Sequence, residues 1–121
     1  MRLWHENLLS KLPRQQLLGQ HRECCALRGG GWGKKHRTVD YVFTHSPYKL
    51  FQYHSKVMQE MQRRGYSPNS LWLNPFYRGT KEAPYTSLLI VPTTTPIYPE
   101  HNAAYYQECI DNLAMKGINI P

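Results

Sequence analysis

The chain has 121 residues, with 15 Lys/Arg against 8 Asp/Glu, a net charge of +7 and 40% hydrophobic residues. That length gives one domain with one modest core, and the longest aliphatic run, Leu88-Leu89-Ile90-Val91, is far short of a membrane span. The charge is lopsided: residues 1–64 carry 12 Lys/Arg and 4 Asp/Glu, residues 65–121 carry 3 and 4, a distribution that suggests one face built for a polyanion, the plain alternative being charges that cluster by chance on a soluble protein.

The start, Met1-Arg2-Leu3-Trp4-His5-Glu6, lacks the apolar core of a signal peptide. A first helix is expected from about Pro13 to Leu27. Pro13 suits a first turn and the Gly29-Gly30-Gly31 run ends the element. Leu17, Leu18, His21, Cys24, Cys25 and Arg28 recur on one broad side of it. The odd cysteine count, with Cys24 and Cys25 adjacent and Cys109 far away, suits a reducing compartment and a cytoplasmic, nucleoid-associated protein.

The second helix is punctuated by Ser46 as cap, Pro47 as first residue and Gly65 as stop. Leu50, His54, Val57, Met58 and Met61 form its apolar stripe. Arg63 and Arg64 complement the negative end of the helix dipole. Residues 66–98 contain Pro68, Pro75, Pro84, Pro92 and Pro96 and read as loop, with Leu88–Val91 as a short extended piece covering the core. A third helix is expected from Pro99 or Glu100 to Lys116, with Ala103, Tyr106, Ile110 and Leu113 inward and Gly117 after it. The fold class is therefore all-α: a single compact domain over 1–121, with three main helices and long loops.

Two constellations carry chemistry. Glu23 lies mid-helix, with Gln16, Gly19, Gln20 and Ala26 three or four residues away on its face. A glycine at mid-helix costs about 1 kcal/mol against Ala, which close approach of a backbone or a ligand at Gly19 would explain; the plain alternative is a surface Glu beside a helix-packing Gly. The second is Arg28-Gly29-Gly30-Gly31-Trp32-Gly33-Lys34-Lys35-His36-Arg37. Its glycines let backbone approach phosphates, its cations pair with them, and Trp32 can stack on a base or wedge a duplex; the alternative is a solvated loop with Trp32 folded on the core. The Gly-Lys-Ser/Thr order of a P-loop is missing. No metal is expected, because His21 and Cys24 have no second ligand pair at metal spacing. His54 reads as a satisfied core histidine, and Tyr105 and Tyr106 as core and rim.

The run Leu12-Pro13-Arg14-Gln15-Gln16-Leu17-Leu18-Gly19-Gln20-His21-Arg22-Glu23 resembles the first helix of phage-type pyrimidine-dimer DNA glycosylases, the endonuclease V family. A basic glycine-containing loop, a helix ending in Arg63-Arg64-Gly65-Tyr66, the step Tyr77-Arg78-Gly79 and the entry Tyr98-Pro99-Glu100-His101 follow in the order of that family. The resemblance implies a DNA-repair glycosylase with AP lyase activity, acting on damaged double-stranded DNA without metal or organic cofactor. It implies an N-terminal amine as nucleophile and the first-helix Glu as acid/base. The bulky Arg2 is expected to leave Met1 in place, so the catalytic residues become Met1 and Glu23. Arg2, Arg22, Arg28, Lys34, Lys35 and Arg37 are expected on phosphates, with Trp32 also on the DNA. The expected protein is a monomer with no membrane partner. The competing readings are a non-catalytic nucleic-acid-binding module of the same fold and a glycosylase for a different lesion.

Overall fold

The computed structural model describes residues 2–30 and 39–121. It is all-α, with helices α1 (Arg14–Arg28), α2 (Pro47–Arg63) and α3 (Ala103–Met115). Three short 3-10 helices, Glu6–Lys11, Asp40–Phe43 and Ser70–Leu73, punctuate the connections, and there is no strand among the described residues.

The helix ends follow from local chemistry. The Ser46 hydroxyl accepts from the Tyr48 amide at 3.2 Å, ahead of Pro47. At the other end of α2, Gly65 takes φ +88°, the Gly65 amide donates to the Gln62 carbonyl, and the Tyr66 amide reaches back to Met61 at 2.8 Å. This is a full Schellman closure, which only glycine enters without strain. α3 closes the same way, through Gly117 at φ +80° and the Ile118 amide on Leu113. Its start differs from the sequence expectation. Asn102 accepts from the Tyr105 amide at 2.9 Å, so this cap begins the helix at Ala103, beyond Pro99 and Glu100.

α1 and α2 pack directly on each other, and the N-terminal segment lies over both. The core joins Leu3, Leu8, Leu9 and Leu12 to Leu17, Cys24 and Leu27 of α1, to Leu50, Tyr53, Val57 and Met61 of α2, and to Cys109 and Leu113 of α3. The N-terminal segment is thus a core element and not an appendage. Burying each such aliphatic side chain contributes roughly 1.5–3 kcal/mol.

Residues 88–91 are not an apolar cover. Leu89 and Ile90 are 71% and 65% exposed. It is the backbone of this stretch that binds the core: Gln52 of α2 donates to the Val91 carbonyl at 2.8 Å, and Ser46 donates to the Leu89 carbonyl.

Candidate functional site

Gln20 and Glu23 stand one turn apart on α1. The Gln20 Nε2 donates to Oε2 of Glu23 at 2.9 Å and to the backbone carbonyl of Arg2 at 3.0 Å. Its Oε1 accepts the Trp4 amide at 2.6 Å and the Tyr53 hydroxyl at 2.9 Å. The first described residues therefore run back along α1 to the Glu23 face. α3 flanks them on another side: Tyr105 donates to the Leu3 carbonyl, and Arg2 pairs with Glu108 at 3.5 Å while lying 5.8 Å from the centre of the Tyr105 ring.

Glu23 is half-buried. Burial pushes its carboxyl above the ordinary range, against the opposing pull of the Arg22 and Lys116 charges and of a backbone hydrogen bond from Arg2. A carboxyl raised toward neutrality inside a rim of cations is suited to proton transfer near a negatively charged substrate. Arg22 is exposed and reaches back over Gly19, where a Cβ would meet its Nη2 at an ordinary 3.6 Å. Among the described residues no other backbone crowds Gly19, so there the absent side chain leaves surface beside Glu23 instead of admitting a helix.

Arg28, expected on phosphate, is turned to protein. Arg28 is 4% exposed. Its guanidinium donates to the carbonyls of Trp72 (2.8 Å), Asn74 (2.7 Å) and Tyr77 (3.1 Å) and lies between the Trp72 and Phe51 rings. It fastens the loop after α2 to the end of α1, with Nη1 and Nη2 both turned to protein acceptors. Arg2 also points inward, toward Glu108 and Tyr105. Met1, Trp32, Lys34, Lys35 and Arg37 lie outside the described residues.

His21, Cys25 and His54 bring one ligand atom each to within 4.8 Å of one another. The spacing His21–Cys24 had drawn notice in the sequence, but Cys24 is fully buried in the core and Cys25 is the neighbour of His21. The trio is arranged by hydrogen bonds. Arg28 Nη1 stands 3.0 Å from His54 Nδ1, and a guanidinium only donates, so Nδ1 accepts and the His54 proton sits on Nε2. Nε2 faces His21 Nδ1 at 2.8 Å. A cation at Nε2 would displace that proton toward a position already held by Arg28, and would add charge beside a guanidinium. Burial and the Arg28 charge hold His54 far below the usual histidine range, burial and Arg22 lower His21, and burial raises the Cys25 thiol to about 11. These residues do not fit a resident metal.

The exit from α1 is tight. A Cβ on Gly29 would lie 3.1 Å from the Arg78 carbonyl, and Arg78 Nε donates to the Arg28 carbonyl at 3.0 Å while its guanidinium lies 4.4 Å from the centre of the Tyr85 ring. A cleft of about 480 Å³ opens there, lined by Cys25, Gly29, Trp72, Tyr77, Arg78 and Lys81 among others. Arg78, Lys81 and Glu82 thus line a cleft next to Gly29. Sequence reasoning had not assigned roles to them, to Lys116 or to Gln20. Gln20 carried one usable signal, its i, i+3 spacing to Glu23; Lys116 is brought to Glu23 only by the tertiary fold.

A family model described as pyrimidine dimer DNA glycosylase matches residues 1–74, which span the N-terminal segment, Gln20, Glu23 and the whole of α2. No curated protein and no solved structure matches the chain.

Proposed function

The chain belongs to the pyrimidine dimer DNA glycosylase family, whose substrate is DNA, and from that premise we propose that it excises linked pyrimidines through an imine formed by its own N-terminal amine and then cleaves the strand as an AP lyase. The observation that carries this reading is the pair of hydrogen bonds by which Gln20 joins the Arg2 backbone to the Glu23 carboxylate. Consecutive Cα atoms are about 3.8 Å apart, a chain length that allows an amine one residue before Arg2 to approach Glu23.

The chemistry divides between the two groups. The lone pair of the neutral Met1 amine attacks deoxyribose C1′. The bond from C1′ to the base nitrogen breaks, and the base leaves with that electron pair and takes up a proton. The attached nitrogen then loses one proton, its lone pair forms the C1′=N bond as the C1′–O4′ bond breaks, and O4′ takes up a proton, which leaves a protonated imine at C1′, an electron sink that acidifies C2′. The Glu23 carboxylate then takes a C2′ proton. The freed electrons form the C2′–C3′ double bond, the C3′–O bond breaks, and the 3′ phosphate leaves. Water hydrolyses the imine and returns the amine. An α-amine titrates at roughly 7.7–8.0, so a useful fraction is neutral at pH 7, and nearby cations depress it further; a lysine would need about two units more. The exposed Arg22, with Lys34, Lys35, Arg37 and Trp32, supplies the DNA-binding face in this reading.

Incubation with ultraviolet-irradiated supercoiled plasmid in the presence of a chelator tests it. The expected result is nicking that rises with ultraviolet dose and is absent from unirradiated plasmid. Salt-sensitive binding without nicking would replace the glycosylase reading with a non-catalytic binding module.

A further inference from the structure

The carboxamide of Gln20 is the most completely used polar group near the site. An amide offers two N–H donors and an oxygen with two acceptor positions. In Gln20 both donors are taken, by Arg2 and Glu23, and the oxygen accepts from the Trp4 amide and shares the single Tyr53 hydroxyl proton with the Trp4 carbonyl, in a side chain that is 1% exposed. The partners also fix which end is which. The Trp4 amide only donates and the Arg2 carbonyl only accepts, so the NH₂ end must face Arg2 and Glu23. The group connects three parts of the chain: the N-terminal segment through Arg2 and Trp4, α1 through its own backbone and Glu23, and α2 through Tyr53, whose hydroxyl also reaches the Trp4 carbonyl at 2.6 Å.

We propose that Gln20 is a positioning residue of the catalytic site: one buried carboxamide holds the Glu23 carboxylate in place relative to the backbone that carries the N-terminal amine. The inference rests on the imine reading for its catalytic meaning, and its geometry stands apart from it. Glu23 is half-buried and long, and without a partner its three side-chain torsions would spread the carboxylate over several positions. A donor supplied from inside the fold selects one. Because the same NH₂ group grips the Arg2 carbonyl, any shift of the N-terminal segment is felt at Glu23, and the two reacting groups keep their separation as DNA arrives. Positioning of this kind governs rate steeply, since a displacement of about 1 Å can cost on the order of 10²-fold.

Two substitutions test this. Gln20→Met keeps the shape and removes every hydrogen bond of the carboxamide. Gln20→Glu keeps both acceptor contacts and, when ionised, removes both donors. Two readouts are taken on each: the NMR titration of the Glu23 carboxyl carbon, and the pH profile of single-turnover strand cleavage at an abasic site. In Gln20→Met the Glu23 midpoint should rise by about one pH unit through loss of a donor to the charged form. The acid limb of the rate profile should move with it, and the plateau should fall about tenfold or more with duplex affinity retained. In Gln20→Glu the two carboxylates should titrate as a coupled pair with one midpoint raised further. A purely structural Gln20 would lower the melting temperature and leave the Glu23 midpoint and the pH limb where they are, which overturns the proposal. If Gln20→Met does not fold, Gln20→Glu decides by the plateau of the rate profile above both midpoints, which should fall about tenfold or more if Gln20 positions Glu23 and stays at the wild-type level if it does not. The NMR titration needs no turnover, so a wild-type protein that forms no imine would defeat the functional reading while the positioning claim is still decided by the titration.

Discussion

Arg28 Nη1 lies 3.0 Å from Nδ1 of His54, and this contact sets the tautomer of a histidine that is fully buried between α1 and α2. From it runs a chain of donors, Arg28 to His54 to His21, with Cys25 at 3.8 Å from the far nitrogen of His21. The same guanidinium closes three loop carbonyls. Arg28→Lys, which retains the charge and loses the fork, should destabilise the protein by about 3 kcal/mol or more, since each buried acceptor left unsatisfied costs roughly 1–3 kcal/mol. Chemical denaturation measures this. A stability near wild type together with weakened DNA binding would restore Arg28 to the DNA face.

The helices and their ends were legible because they are local. Ser46-Pro47 and Gly65 carry their own capping chemistry, and α2 runs from Pro47 to Arg63. The start of α3 was misjudged because Pro99 competes with Asn102, and only the Asn102 side chain reaches an amide inside the helix. Glu23 was legible as a candidate from its helical face. The inward turn of Arg28 was not, because the carbonyls that capture it come from residues 72–77, whose path no periodicity encodes. The expectation that Leu88–Val91 cover the core failed for a similar reason: the loop is held by its carbonyls, which a hydrophobicity pattern does not register.

Glu23→Gln should reduce strand cleavage by about 10²–10⁴-fold, the contribution of a positioned acid/base, with duplex affinity retained or slightly improved. Stability should move the other way. Burial raises the folded-state pKa of Glu23, so the folded protein binds more protons than the unfolded chain between the ordinary carboxylate pKa and the raised one. The ionised carboxylate is therefore a liability that grows as pH rises through that window and is absent below it. Glu23→Gln should unfold at higher denaturant than wild type at pH 7 and with equal stability at pH 3. Equal stability at both values would mean that Glu23 is freely solvated.

Acid should unfold the protein through its buried histidines. His101 is lowered to about 4 by burial and by the neighbouring His5, and His54 lies far below its usual range. For a depressed histidine, stability is complete above the unfolded pKa of about 6.5 and is lost as pH falls toward the folded value. For His101 the loss between pH 7 and pH 4 is on the order of 3 kcal/mol, at 1.36 kcal/mol per unit. Urea titrations across that range read it, and His101→Gln should flatten the slope. A wild-type stability independent of pH from 7 to 4 would contradict the burial of both rings.

Duplex binding should weaken with salt. Arg28 and Arg2 face inward, which leaves Arg22, Lys34, Lys35 and Arg37 of the six expected phosphate contacts. Four contacts give a slope of log affinity against log salt of about −3.6, and Lys34→Ala or Lys35→Ala should each lessen it by about one. Fluorescence anisotropy with a short duplex gives the slope. A value near zero would remove phosphate contacts from the account.

The imine is tested most directly by trapping. The protein is mixed with a duplex containing one abasic site, reduced with borohydride, digested and mapped by mass spectrometry. The account predicts one covalent adduct, on the α-amine of Met1, formed at near-normal yield by Glu23→Gln and abolished by reductive methylation of that amine or by one residue added before Met1. An adduct on a lysine, or full cleavage by the methylated protein, would contradict the N-terminal mechanism.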